Sequence, residues 1–349
     1  MKRRKNIQLY QAAIARKKRK SKSKAKARRR NLPRKVRVTR HKSSYRHPYI
    51  KPFQTLLLES DFRIVSNPAL VIKQLNTILK ARGKNAKSIR LDLDLRNVVH
   101  FDLGALTCLL STLRFTTNYA GNLPTDPTCR IFFEESGFLS LMRDINGNLF
   151  KSPNSNNLMF EKGTDKTSNR KVGEEIKKAI KHLTGNESTF PPVYSIIQEI
   201  CPNSIEHANS KVKDINWMMG IHYEDDKVCF AMADKGYGIL KTIKKSLPQK
   251  VLDKFRDEKE ILLSAFSKEY QSQTEDDNRN KGLPRIKLVA DKGYVQNMIV
   301  ITNSTLLNLS NPEDSQLLGA NFGGTFYYWE ITKETYQRWK HKKQSPTIS

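Results

Sequence analysis

The first acidic residue of this 349-residue chain is Glu59, and 22 lysines and arginines precede it. A segment with that much charge of one sign repels itself and has almost nothing apolar to bury, so residues 1–52 are expected to form a disordered basic arm. The folded body must come from the remainder, where 41 basic residues face 34 acidic ones and apolar periodicity begins. That length suffices for two ordinary domains. No stretch approaches the roughly 20 consecutive apolar residues of a membrane-spanning helix, and the basic start leads into further charge instead of an apolar signal core, so a soluble, cytoplasmic protein is expected.

Within the arm, Arg16-Lys17-Lys18-Arg19-Lys20 and the run ending in Arg28-Arg29-Arg30 are dense enough to neutralise several phosphates and release their counterions. DNA or RNA is the expected partner, with anionic lipid or a solubilising role as the alternatives. The four cysteines, Cys108, Cys129, Cys201 and Cys229, stand singly, with no CxxC pair and no histidines at zinc spacing. They read as reduced, buried thiols.

Residues 53–150 read as an open α/β unit. Gln54 to Glu59 has strand character, Leu70, Ile72, Leu75, Ile78 and Leu79 recur at helical spacing after Asn67-Pro68, and Ser88 to Leu95 alternates with Ile89, Leu91, Leu93 and Leu95 inward. Asp92 and Asp94 then read as exposed strand acids. Leu103, Leu106, Leu109, Leu110 and Leu113 continue as a helix. The passage Ile89 to Leu106 resembles the strand, loop and helix start of STAS domains. In phosphorylated members of that family a serine stands beside the Asp and Gly at the helix N-terminus, whereas the run here is Asp102-Leu103-Gly104. The resemblance implies a docking module for a protein client, without the phosphoacceptor. Residues 151–170, rich in turn formers, read as a linker.

The chemistry-bearing residues fall after position 190. Val193, Ile196, Ile197 and Ile200 keep helical spacing behind Pro191-Pro192, so Glu199, Asn203 and His207 share one helix face, with Glu206 beside them. A strand, Val228 to Ala233, runs into Asp234-Lys-Gly236-Tyr-Gly238. Asn280-Lys281-Gly282-Leu283-Pro284 follows a long polar stretch, Tyr270 to Asn280, and Gly323-Gly324-Thr325 begins a last aromatic strand. Four elements in this order resemble the Glu-x-x-x-Asn box, the two glycine boxes and the Gly-Thr element of GHKL ATPases. Pro202 inside the first box and Asn280 in place of a glycine in the second depart from the pattern.

That resemblance implies ATP and Mg²⁺ as ligands. Asp234 would accept from the adenine amino group, Gly236 and Gly238 would let backbone approach the nucleotide, and Lys281, Gly282 and Leu283 would cradle phosphates at a helix start. The Thr325 hydroxyl would bond near Asp234, Asn203 would hold the metal, and Glu199 would be the catalytic base. The polar stretch before Lys281 would be a nucleotide lid. The expected fold class is α/β (α+β): a STAS-like α/β domain over 53–150, then a GHKL, or Bergerat-type, α/β sandwich over 171–335 with a mixed sheet and helices on one face. A basic C-terminal tail, 336–349, follows. The expected function is a slow, Mg-dependent ATPase working as a nucleotide-driven conformational switch, with a possible homodimer. The alternatives are an anti-sigma-like serine kinase and a nucleic-acid-binding protein that uses ATP as a ligand without turnover.

Overall fold

The computed structural model describes residues 53–81, 90–113, 119–144, 146–151, 158–162, 169–206, 217–267 and 282–344. The basic arm with Arg16 to Lys20 and Arg28 to Arg30, the polar stretch 270–280, Lys281 and His207 lie outside the described residues.

Apolar side chains line both faces of the strands in the second half of the chain. In β8 (Lys227–Ala233), Val228, Phe230 and Met232 enter one core while Cys229, Ala231 and Ala233 enter another. The same split divides Tyr327, Trp329 and Ile331 from Phe326 and Tyr328 in β10 (Gln316–Thr332), and Met298 and Val300 from Ile299 and Ile301 in β9 (Gln296–Asn308). Strands of this composition must be covered on both sides.

With β6 (Leu158–Lys162) and β7 (Met218–Tyr223), these strands form a five-stranded sheet in the order β6-β7-β8-β10-β9. Every pairing in it is antiparallel, a correction to the expected mixed sheet. Strand β6 comes from the stretch read as a linker, where it pairs with β7 from Leu158↔His222 to Lys162↔Met218.

One face carries α4 (Asn169–Thr184), α5 (Pro191–Glu206), α8 (Glu258–Phe266) and α9 (Gly282–Asp291). The opposite face is covered by the first unit, through α1 (Pro68–Ala81) and α2 (Leu103–Leu113). The expectation of helices on one face is thereby corrected. The two stretches expected as separate units share one core, and residues 51–349 form a single compact unit. Among the described residues, no helix is long and apolar enough to cross a membrane.

The first unit keeps its own parallel sheet, β1-β3-β5, from β1 (Phe53–Leu57), β3 (Arg90–Asp94) and β5 (Tyr119–Gly121). Parallel and antiparallel sheets therefore coexist in one α/β fold. A two-stranded pair, β2 (Asp61–Phe62) and β4 (His100–Phe101), leads into α2. Asp94 is 8% exposed, not the exposed acid expected. It takes a bidentate bond from Arg96 (2.9 and 2.6 Å) and one from Asn122 (2.9 Å), and these hold its carboxyl below the usual range.

Asp102 caps α2, accepting from Ala105 N–H at 2.6 Å and from Val65 N–H at 2.9 Å, and burial raises its carboxyl to about 6. Gly104, in the first turn, faces Ile64 and the Phe326 ring: a Cβ there would lie 2.7 Å from each. The glycine at this helix start thus has a packing cause. Gly104→Ser is expected to lower the urea midpoint by the equivalent of about 1–3 kcal/mol through overpacking. An unchanged midpoint would contradict that close approach.

The stretch read as a basic tail continues the fold as α10 (Lys333–Gln344). Tyr336 is buried, bonds Ser188 Oγ at 2.8 Å, and packs with Trp339 against Phe190. All four cysteines are free and buried, as expected from their spacing. Burial pushes the thiols of Cys108, Cys129 and Cys229 up, Cys129 to about 11 and Cys229 to about 12.

Candidate functional site

The residues singled out in the sequence gather in two groups that border the same core. Ile200 on α5, Ile286 on α9 and Met232 on β8 all belong to it. Helix α5 starts at Pro191, which supplies a preset φ where no intrahelical N–H bond is needed, and it runs unbroken through Pro202 to Glu206. It therefore carries Glu199 and Asn203 one turn apart, both half-buried.

Against them lies the first turn of α9. A Cβ on Gly282 would sit 2.8 Å from Glu199 Oε2 and 3.5 Å from Asn203 Nδ2, so the absent side chain lets the helix start approach Glu199 closely, with Asn203 in ordinary contact range. Leu283, partly buried, packs its side chain against the core. Arg285, one turn further, bonds Glu199 Oε1 through Nη1. Sequence reasoning missed Arg285; its spacing of three from Gly282 was the available signal.

The second group forms where β8 ends. Asp234 is 7% exposed. Its Oδ1 accepts from Gly236 N–H at 2.9 Å and from Thr325 N–H at 3.1 Å, and the Asp234 and Thr325 backbones are joined by a further bond of 2.9 Å. The amide and the carbonyl of Thr325 are thus both tied to Asp234. Nor does Gly323-Gly324-Thr325 begin a strand. It lies within β10, at the register shift between Phe322 and Thr325, and such bulges re-aim the chain locally.

Two glycines here are demanded by geometry. Gly324 has φ +134°, and a Cβ on it would overlap the Asp234 carbonyl. Gly238 has φ +82° and caps α6 (Ile239–Ser246); a Cβ there would meet Thr302 Oγ1 at 2.8 Å. Thr302 and Asn303 in turn accept from the first amides of α6, Ile239 N–H at 2.8 Å and Lys241 N–H at 3.0 Å. These two supporting residues of β9 had no recognisable motif.

Lys235, between the glycine-box residues, is 9% exposed, with Nζ 4.2 Å from the centre of the Phe322 ring. Burial pushes its ammonium down to about 8. The folded state therefore binds fewer protons than the unfolded one between pH 8 and 10.5, and stability should rise with pH through that window. At pH 7 the penalty is about 3 kcal/mol by the pKa-to-energy conversion. Lys235→Met is expected to recover most of it at pH 7 and nothing above pH 10.5; equal effects at both pH values would refute this.

Among the described residues no group of three or more His, Cys, Asp or Glu could hold a metal ion. Asn203 sets its amide Nδ2 beside the α9 start; its amide oxygen is a single donor of the kind that Mg²⁺ takes from a protein when phosphate and water complete the shell. Comparison of the chain with known protein families finds no matching family model, and comparison with curated proteins finds no match.

Proposed function

We propose that the chain binds Mg-ATP and hydrolyses it slowly, as a nucleotide-driven conformational switch whose basic arm engages DNA or RNA. The observation that carries this reading is Asp234, a nearly buried carboxylate with Oδ1 fixed by the amides of Gly236 and Thr325. The Asp234 carboxylate is the acceptor proposed for the adenine amino group. Guanine would set a carbonyl against it and leave a buried charge opposed by another acceptor. Gly282, Glu199 and Asn203 supply the phosphate end: backbone amides at the α9 start for the phosphates, Asn203 for the metal, Glu199 for the attacking water. A bound Mg²⁺ offsets phosphate charge, and the proton from water passes to Glu199.

Two observations weigh against the kinase alternatives. The STAS-like helix start, where a phosphoacceptor would stand, is buried beneath Phe326. A histidine kinase would need a phosphoacceptor such as His182, upstream on α4, but that residue is engaged with the β7–β8 turn, its Nε2 2.6 Å from the Glu224 carbonyl oxygen and its ring edge-on to Tyr223. Calorimetric titration of the full chain with ATP and GTP, with and without Mg²⁺, tests the nucleotide reading. Binding of ATP in preference to GTP supports it, and equal or absent binding ends it. For the arm, glutamate at Arg28, Arg29 and Arg30 should weaken oligonucleotide binding and flatten its salt dependence by about 0.9 log units for each phosphate no longer neutralised.

A further inference from the structure

We infer that Arg285 is the residue that reads the terminal phosphate of ATP, and that in the nucleotide-free chain it restrains Glu199. The inference rests on the proposed ATP site and adds a residue that no motif assigned. Arg285 Nη1 engages Glu199 Oε1, the oxygen that would otherwise be available to take a proton from water. The Glu199 side chain is 21% exposed and that of Arg285 54%. The carboxylate is thus the less exposed partner, while the guanidinium borders solvent and has room to reorient.

Gly282 and Arg285 are three residues apart on α9, about 4.5 Å along the axis, and both meet Glu199. A phosphate held by the amides at the α9 start thus lies within one helical turn of the Arg285 backbone. A terminal phosphate carries more charge than one carboxylate and presents a planar pair of oxygens to the guanidinium fork, so it competes for Arg285 on favourable terms. ADP has no such group at that place.

Transfer of Arg285 to the phosphate frees Glu199 Oε1. The water oxygen then forms its bond to the γ-phosphorus as the bond to the β–γ bridging oxygen breaks. The electron pair leaves on ADP, the water proton goes to Glu199, and Arg285 offsets the charge on the phosphoryl oxygens. Occupancy by ATP and readiness of the base become one event. Hydrolysis returns Arg285 to Glu199.

The test is the ratio of ATP to ADP affinity in the full-length protein, measured by calorimetry for wild type, Arg285→Ala and Arg285→Lys, with melting temperature as the control for folding. Wild type is expected to favour ATP. Arg285→Ala should weaken ATP binding about 10- to 100-fold, the range of one charge-assisted hydrogen bond, and leave ADP binding within about twofold. Arg285→Lys, which keeps the charge without the fork, should fall between. An unchanged ratio in Arg285→Ala, or equal weakening for both nucleotides, overturns the inference while the ATP site stands. Absence of any nucleotide binding by wild type overturns the site itself and this role with it.

Discussion

Gly324→Ala is expected to cost roughly 4 kcal/mol or more and to abolish any function of the Asp234 group. Two effects add. The residue sits at φ +134°, a region L-residues rarely enter, and its Cβ would overlap the Asp234 carbonyl while lying 2.8 Å from that carbonyl's carbon and 2.9 Å from Lys235 Cα. All of these are backbone atoms, so no rotamer change relieves them. The strand would have to part from β8 where Thr325 and Asp234 are joined through their backbones. Gly323 provides the control: a Cβ there meets nothing within 4 Å, so Gly323→Ala should change stability by less than about 1 kcal/mol. Urea unfolding of the two variants checks the contrast. Equal midpoints would mean that Gly324 is not held as described.

The second large effect is on turnover. Glu199→Gln should lower ATP hydrolysis about a thousandfold while leaving ATP affinity within a few fold. Its carbonyl oxygen still accepts from Arg285 and the helix face is unchanged, so folding and nucleotide docking are preserved, but an amide cannot take a proton from water. Single-turnover hydrolysis beside equilibrium binding separates the two quantities. Turnover equal to wild type would remove Glu199 from the chemistry. Wild type that binds ATP with no measurable turnover would favour the ligand-only alternative, in which Arg285 never leaves Glu199 for long enough.

Local periodicity made most elements legible. The helix behind Pro191-Pro192, the alternating strand with Leu91 and Leu93, and the helix over Leu103 to Leu113 stand where their apolar spacing puts them. The relation between the two halves was not legible, because it depends on which face of a doubly apolar strand meets which helix. Val228 to Ala233 is apolar at every position, so alternation was absent, and the run was consistent with one covered face or two. The packing of Gly104 beneath Phe326, more than half the chain away in sequence, is information no local window contains.

The candidate site divides in the same way. Glu199, Asn203, Asp234 and Gly282 could be singled out because each stands in a motif of fixed spacing. Arg285, Thr302 and Asn303 were missed because their parts come from three-dimensional neighbours: a carboxylate on another helix, and the first amides of a helix that starts far earlier in the chain.

Asp234 as the acceptor for adenine is the central assignment, and titration of ATP into full-length wild type and Asp234→Asn tests it most directly. The substitution is nearly isosteric, and the amide oxygen can keep both backbone bonds from Gly236 and Thr325. Where a carboxylate oxygen would accept from the adenine amino group, an amide NH₂ would oppose it. Wild type is predicted to bind ATP at a single site, and Asp234→Asn to bind at least about 100-fold more weakly with an unchanged melting temperature. No ATP binding by wild type, or equal affinity in both proteins, would contradict the assignment.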